Sequence, residues 1–291
     1  MSENRPPERA AYGCLAFDSF VLAKWDHLLP LGRNQEQWNK IARQWLALTP
    51  IDRLPYHRQA FEQEHAITAS SPSLEVNRVE HLLAAHQTLQ ERSLTITPGP
   101  AWVRTCYSLE LADAYAAISR GVDDSAVNRD SVLDDEVLYD GMELSQILLR
   151  IPALPDKDIG YAIENDVDDS PRVTWGLAGG GNINGDDEES ISGLLAGDVD
   201  VQLKRPVYEA QREIATVLYL VDERALRAML IRVLWLDVHG RCVWDNTIRT
   251  EDLLPFNGHL FNGLTLVEFV DGFAADSEGS RRWERGATFK F

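Results

Sequence analysis

Residues 34–56 read NQEQWNKIARQWLALTPIDRLPY, and the parsing of this stretch decides the fold of the N-terminal part of the chain. Trp38, Ile41, Ala42 and Trp45 recur at i, i+3, i+4 and i+7, which sets one bulky apolar stripe on a short helix over residues 34–48. Such a stripe needs a partner surface. Leu48-Thr49-Pro50-Ile51-Asp52 then stops the helix and starts another: Thr49 can cap, Pro50 suits a first helical position, and Asp52 stands where a capping box wants an acid. A third helix is predicted from Pro50 or Pro55 to Ile67, carrying Tyr56, Ala60 and Phe61. Upstream, Ala16-Phe17, Phe20 and Trp25 put aromatics on one side of a first helix that ends near Leu29-Pro30. Phe17, Phe20, Trp38, Trp45 and Tyr56 are the expected core of this three-helix module, because large aromatics at helical spacing pack inward.

Downstream, the pattern predicts further helices over residues 72–121. Ser73 to Arg92 carries Val76, Val79, Leu82, Leu83 and Leu89 at helical spacing, and Ser108 to Arg120 stops at Gly121. Residues 201–291 change character. Ala228 to Val238 and Arg241 to Ile248 are rich in Val, Ile, Leu and Trp around His239-Gly240, which reads as a β-hairpin with Trp235 opposite Trp244. Leu264 to Phe269 offers another strand, and Val207 to Tyr219 fits helix or strand. The expected class is therefore α+β: a helical N-terminal module over residues 5–67, more helices, an acidic linker over 122–200, and a C-terminal α/β region with a hairpin.

The charge is uneven. The formal net charge of −18 comes almost wholly from residues 122–200, which hold 20 acidic and 4 basic side chains, whereas residues 1–66 hold 8 of each. A stretch of that composition repels itself and buries little, so it is expected to be a partly disordered linker, with an element around Leu144 to Ile151 able to dock. Cys14, Cys106 and Cys242 are few and widely separated, which fits neither a disulfide framework nor a metal site, and no metal or cofactor is expected. No apolar run approaches the length of a membrane span, and the opening residues lack a signal-peptide pattern. The chain is expected to act inside the cell.

Ile41-Ala-Arg-Gln-Trp45, then Leu-x-Pro, then Arg53-Leu-Pro55-Tyr56 with Ala60, resembles the second and third helices of the HMG box, and Ala16-Phe17 with Phe20 resembles its first. The resemblance covers residues 5–67 and is nearest in flavour to the sequence-specific branch that includes fungal mating-type proteins. It implies an L-shaped fold that grips the minor groove and drives an apolar wedge between base steps. It also implies a nuclear DNA-associated protein, such as a transcriptional regulator whose acidic tract modulates binding. Arg5 and Arg9 in an N-terminal arm, Arg33 and Asn34 at the start of helix two, and Arg43 are the candidate DNA contacts. The wedge position falls on Asp18 if Phe17 is aligned to the family's aromatic, and on Gly13 if Tyr12 is; neither can unstack bases. Residues 1–66 have zero formal charge, and affinity for nucleic acid comes largely from counterion release by clustered cations, so any DNA binding is expected to be weak.

An interaction protein that keeps the box as a scaffold for a protein partner is the alternative. An enzyme in the C-terminal region is the least favoured reading, with Asp237, His239, Asp245 and His259 as conceivable acid–base groups, and no catalytic residue is assigned. Gly179 to Gly185 lacks the Lys and helix of a phosphate loop. Asp166, Asp168 and Ser170 start like a calcium loop, but Pro171 and Leu177 break it. His57, His65, His81 and His86 read as surface or cap residues.

Overall fold

The computed structural model describes residues 10–69, 74–97, 99–124, 131–157, 199–273 and 285–290. In chain order its elements are α1 (Ala16–Lys24), α2 (Asn34–Ala47), α3 (Pro50–Ala69), α4 (Leu74–Ala84), α5 (Leu89–Leu94), β1 (Ala101–Arg104), α6 (Ala112–Asp124), β2 (Val132–Leu133), α7 (Glu136–Tyr139) and α8 (Leu144–Arg150). They continue with α9 (Val199–Glu213), β3 (Ile214–Val221), α10 (Glu223–Ala228), β4 (Ile231–Asp237), β5 (Cys242–Ile248), α11 (Leu253–Phe261), α12 (Leu266–Phe273) and β6 (Thr288–Phe289). The class is α+β. Two compact units divide the chain: the first comprises Met1–Thr97, Met142–Lys157 and Val238–Gly240, and the second comprises Pro98–Gly141, Asp158–Asp237 and Arg241–Phe291.

In the first unit the α2 stripe is buried in full, since Trp38, Ile41, Ala42 and Trp45 all lie in a core with Phe17, Phe20, Val21, Ala60 and Leu83. The rings meet edge to face: Phe17 with Trp38 at 5.3 Å and 88°, and Phe20 with Tyr56 at 5.0 Å and 89°. That geometry adds to the area term because ring edges are positive and faces negative. The restart after α2 is a reciprocal cap. Thr49 Oγ1 donates to Asp52 Oδ2 at 2.6 Å and accepts the Asp52 amide at 3.3 Å, so α3 begins at Pro50 and runs on through Pro55.

The first helix is shorter than expected and stops at Lys24. Trp25 turns extended to lay its ring toward His86, and the Asp26 carboxylate accepts the Leu28 amide at 2.9 Å, a local bond that competes with helix.

The second unit is built on a six-stranded sheet of order β2-β1-β3-β4-β5-β6. Strands β2, β1 and β3 are mutually parallel, β3-β4-β5 form an antiparallel meander, and β6 adds parallel to β5. Trp102, Tyr219, Val233, Trp235 and Ile248 face a core closed by Ile118 of α6, Val207 of α9, Phe256 of α11 and Phe269 of α12. Trp235 does pair with Trp244. The route to that register differs from a two-residue turn, because Asp237 pairs with Arg241 across a three-residue tip and an irregularity beyond Trp235/Leu236 restores the alignment.

Three expectations are corrected. Leu264 to Phe269 is not a strand: Thr265 Oγ1 donates to Glu268 Oε2 at 2.8 Å and accepts the Glu268 amide at 3.3 Å, and this box nucleates α12 with Leu266, Phe269 and Val270 inward. Residues 72–121 are not all helical, since Ala101–Arg104 is the buried strand β1, an apolar run too short for periodicity to classify. The stretch 122–200 is folded over residues 131–157, where Leu133, Tyr139 and Ile147 are buried and Asp135 caps α7 through the Val137 amide at 2.9 Å. Val207 to Tyr219 resolves into the end of α9 followed by β3. The Gly179–Gly185 run and the Asp166, Asp168, Ser170 set lie outside the described residues.

Candidate functional site

The face that the HMG-box resemblance would turn toward DNA begins at the N-terminus of α1, where Asp18 occupies the third helical position. A carboxylate there is favoured by the unpaired amides of the first turn. Its Oδ2 accepts the Gly13 amide at 2.9 Å and the Leu15 amide at 3.0 Å. Arg92 of α5 closes the remaining positions, with Nη1 on Oδ1 at 2.8 Å and Nη2 on Oδ2 at 2.5 Å. Both side chains are fully buried. The guanidinium also donates from Nε to the Ala10 carbonyl at 2.9 Å, from Nη2 to that of Ala11 at 2.8 Å and from Nη1 to Gln87 Oε1 at 3.4 Å, while the Tyr12 ring lies 4.6 Å from it. Gly13, the other wedge position, is also buried; its φ of +96° is a left-handed value that favours glycine, and a Cβ there would meet Val79 at 3.4 Å. Both wedge positions are thus covered by the chain's own α4 and α5.

A second buried pair holds the opposite end of the module. Arg53 of α3 donates from Nη1 to Asp156 Oδ1 at 2.8 Å and from Nη2 to the carbonyls of Trp45 and Val238, at 3.2 Å and 2.7 Å. His57 Nε2 lies 3.1 Å from Asp156 Oδ2. His239 Nδ1 is 2.7 Å from the Leu46 carbonyl. Trp38 Nε1 donates to the Leu149 carbonyl at 2.9 Å, which seats α8 on α2.

The candidate DNA contacts do not gather. Arg5 and Arg9 lie outside the described residues. Arg33 is exposed and sits 3.9 Å from Glu36. Asn34 is half-buried on the side of the α2 stripe, and Arg43, nine residues on, lies about 180° around the helix axis. The exposed cations Lys24, Arg33, Lys40, Arg43 and Arg58 are interspersed in sequence with the exposed acids Asp26, Glu36, Asp52, Glu62 and Glu80.

The acid–base candidates are each engaged in the hairpin or the core. Asp237 accepts the Arg241 amide at 2.8 Å and its Nε at 2.6 Å, and His259 packs its ring 4.8 Å from Phe273. Asp245 is half-buried on β5 opposite Leu234. Among the described residues no group of three or more His, Cys, Asp or Glu side chains could hold a metal ion, and no helix is long and apolar enough to cross a membrane. The three cysteines are half-buried, and burial pushes the Cys242 thiol up to about 11.

His86 overturns its reading as a surface or cap residue: it is buried, stacked on Trp38 with centroids 4.6 Å apart and planes 12° apart. Burial, then the Arg150 guanidinium, lowers its pKa from 6.5 to about 4. Sequence reasoning missed both His86 and Arg92, because their partners are distant in the chain and no local spacing announces them. Comparison with protein-family profiles, with curated proteins and with solved structures finds no match to this chain.

Proposed function

We propose that the chain is a protein-interaction protein whose N-terminal unit keeps an HMG-box-like three-helix plan without the box's DNA-wedging surface. The observation that carries this reading is the burial of Asp18 under Arg92. A wedge residue has to reach between base steps, and freeing Asp18 would expose a carboxylate to phosphate while leaving Arg92 unpaired in the interior. Charge points the same way. The exposed cations of the unit are interspersed with acids, the chain carries a formal charge of −18, and clustered cations are what duplex affinity needs. Two large apolar side chains also stand open on the same unit, Leu28 94% exposed and Ile51 66% exposed. On this reading Asp237, His239, Asp245 and His259 have no catalytic part.

The test uses the full chain with a labelled duplex of about 20 base pairs and a pre-bent four-way junction, at about 50 and 150 mM salt. The expected result is no saturable anisotropy change at the higher salt and no bending of the duplex by energy transfer. Saturable binding that bends the duplex and falls steeply with salt would return the chain to the DNA-associated class.

A further inference from the structure

His86 stands at the junction between α4 and α5, the point where the chain turns to lay α5 over the Asp18 face. The residue is 7% exposed, and its ring lies against Trp38 and meets the Trp25 ring at 5.8 Å and 53°. Neither ring nitrogen has a hydrogen-bond partner among the described residues. A neutral imidazole tolerates that setting at a modest penalty, whereas a protonated one would bring a full charge and two unsatisfied donors into a buried site that already feels the Arg150 guanidinium.

The next residue ties the junction to its surroundings. The Gln87 carbonyl accepts the Tyr12 hydroxyl at 3.0 Å, and Gln87 Nε2 donates to the Arg150 carbonyl at 3.0 Å. One turn on, Arg92 grips Asp18 and Glu91 pairs with Arg150. The groups around the ring offer it no compensating acid. Trp25 and α2 present rings, α8 presents the Arg150 cation, and the α5 residues Glu91 and Arg92 are already bound to Arg150 and Asp18.

We propose that His86 is an acid-sensitive latch: protonation expels its ring from beside Trp38 and Trp25, releases α5 from α1 and α8, and uncovers the Asp18 face. The inference rests on the reading above that α5 covers this face at neutral pH. One proton is taken up per chain. The folded state holds His86 at a lower pKa than the unfolded value of 6.5, so its contribution to stability is complete above about pH 6.5 and drains as the pH falls toward about 4. Below that window the closed form is weakened by the whole difference.

The test is hydrogen exchange of the full chain, corrected for intrinsic pH dependence and read over peptides that span α5, from about pH 7 to pH 4. In the wild type, α5 protection is expected to fall reversibly by more than about tenfold, with about 300-fold the ceiling set by the two pKa values. His86→Phe keeps the aromatic stack but cannot titrate, and is expected to hold its protection within about twofold over the same range. Carboxylates titrate alike in both proteins, so an equal loss in His86→Phe overturns the latch, as does unchanged protection in the wild type. Should the variant not fold, histidine-ring carbon resonances of the wild type decide: one ring still neutral near pH 5 is expected, and all seven titrating near 6.5 overturns the proposal. None of these readouts involves DNA, so failure of the latch and failure of the interaction reading are separable.

Discussion

Arg92→Met is expected to cost the first unit about 3–5 kcal/mol. The physical reason is the asymmetry of buried ion pairs. Intact, Asp18 and Arg92 compensate one another's desolvation through two charge-assisted bonds, and the guanidinium also satisfies the Ala10 and Ala11 carbonyls. Removing the cation leaves a carboxylate with no exposure to water and only the Gly13 and Leu15 amides for company. Urea unfolding at neutral pH, followed by amide hydrogen exchange over α1, α2 and α3, measures the loss as a lower midpoint at unchanged slope. A loss below about 1 kcal/mol, the range of exposed ion pairs, would show that Asp18 reaches water after all.

Trp38→Ala is expected to cost a similar amount, about 3–5 kcal/mol, by a different route. The indole touches Phe17 and His86, and its Nε1 donates to the Leu149 carbonyl that seats α8. Truncation therefore opens a cavity and orphans a backbone acceptor at once. The same urea experiment reads it, with Ile51→Ala as the control. Ile51 is 66% exposed, and its loss is expected to stay within about 0.5 kcal/mol. Equal losses for the two would mean that Trp38 is not at the centre of the unit's core.

What could be read from the sequence was what is local. The α2 stripe, the Thr49–Asp52 restart and the Trp235–Trp244 pair each depend on residues a few positions apart or on a single turn, and all three are present in the fold. What could not be read depends on distance. Asp18 finds Arg92 74 residues away and Arg53 finds Asp156 103 residues away, so neither pairing leaves a trace in any window of sequence. Asp18 read as a degenerate wedge because the charge was visible and its partner was not. Leu264 to Phe269 departs from expectation for a subtler reason: its apolar run fits a strand, and only the two side chains of the Thr265–Glu268 box make it a helix. The acidic tract shows the same limit. Its charge argued for a linker, yet over residues 131–157 Asp135 works as a cap and Asp134 as the partner of Arg104, at 3.3 Å.

The central claim is that α5 holds the Asp18 face closed, and amide hydrogen exchange of Gly13, Leu15 and the first turn of α1 in the full chain at neutral pH tests it most directly. Exchange of the Gly13 and Leu15 amides as slow as that of Trp45 in the core, accelerated by Arg92→Met, is the predicted result. Rapid exchange of those two amides in the wild-type chain would contradict it, because it would mean that the carboxylate they donate to stands open to solvent.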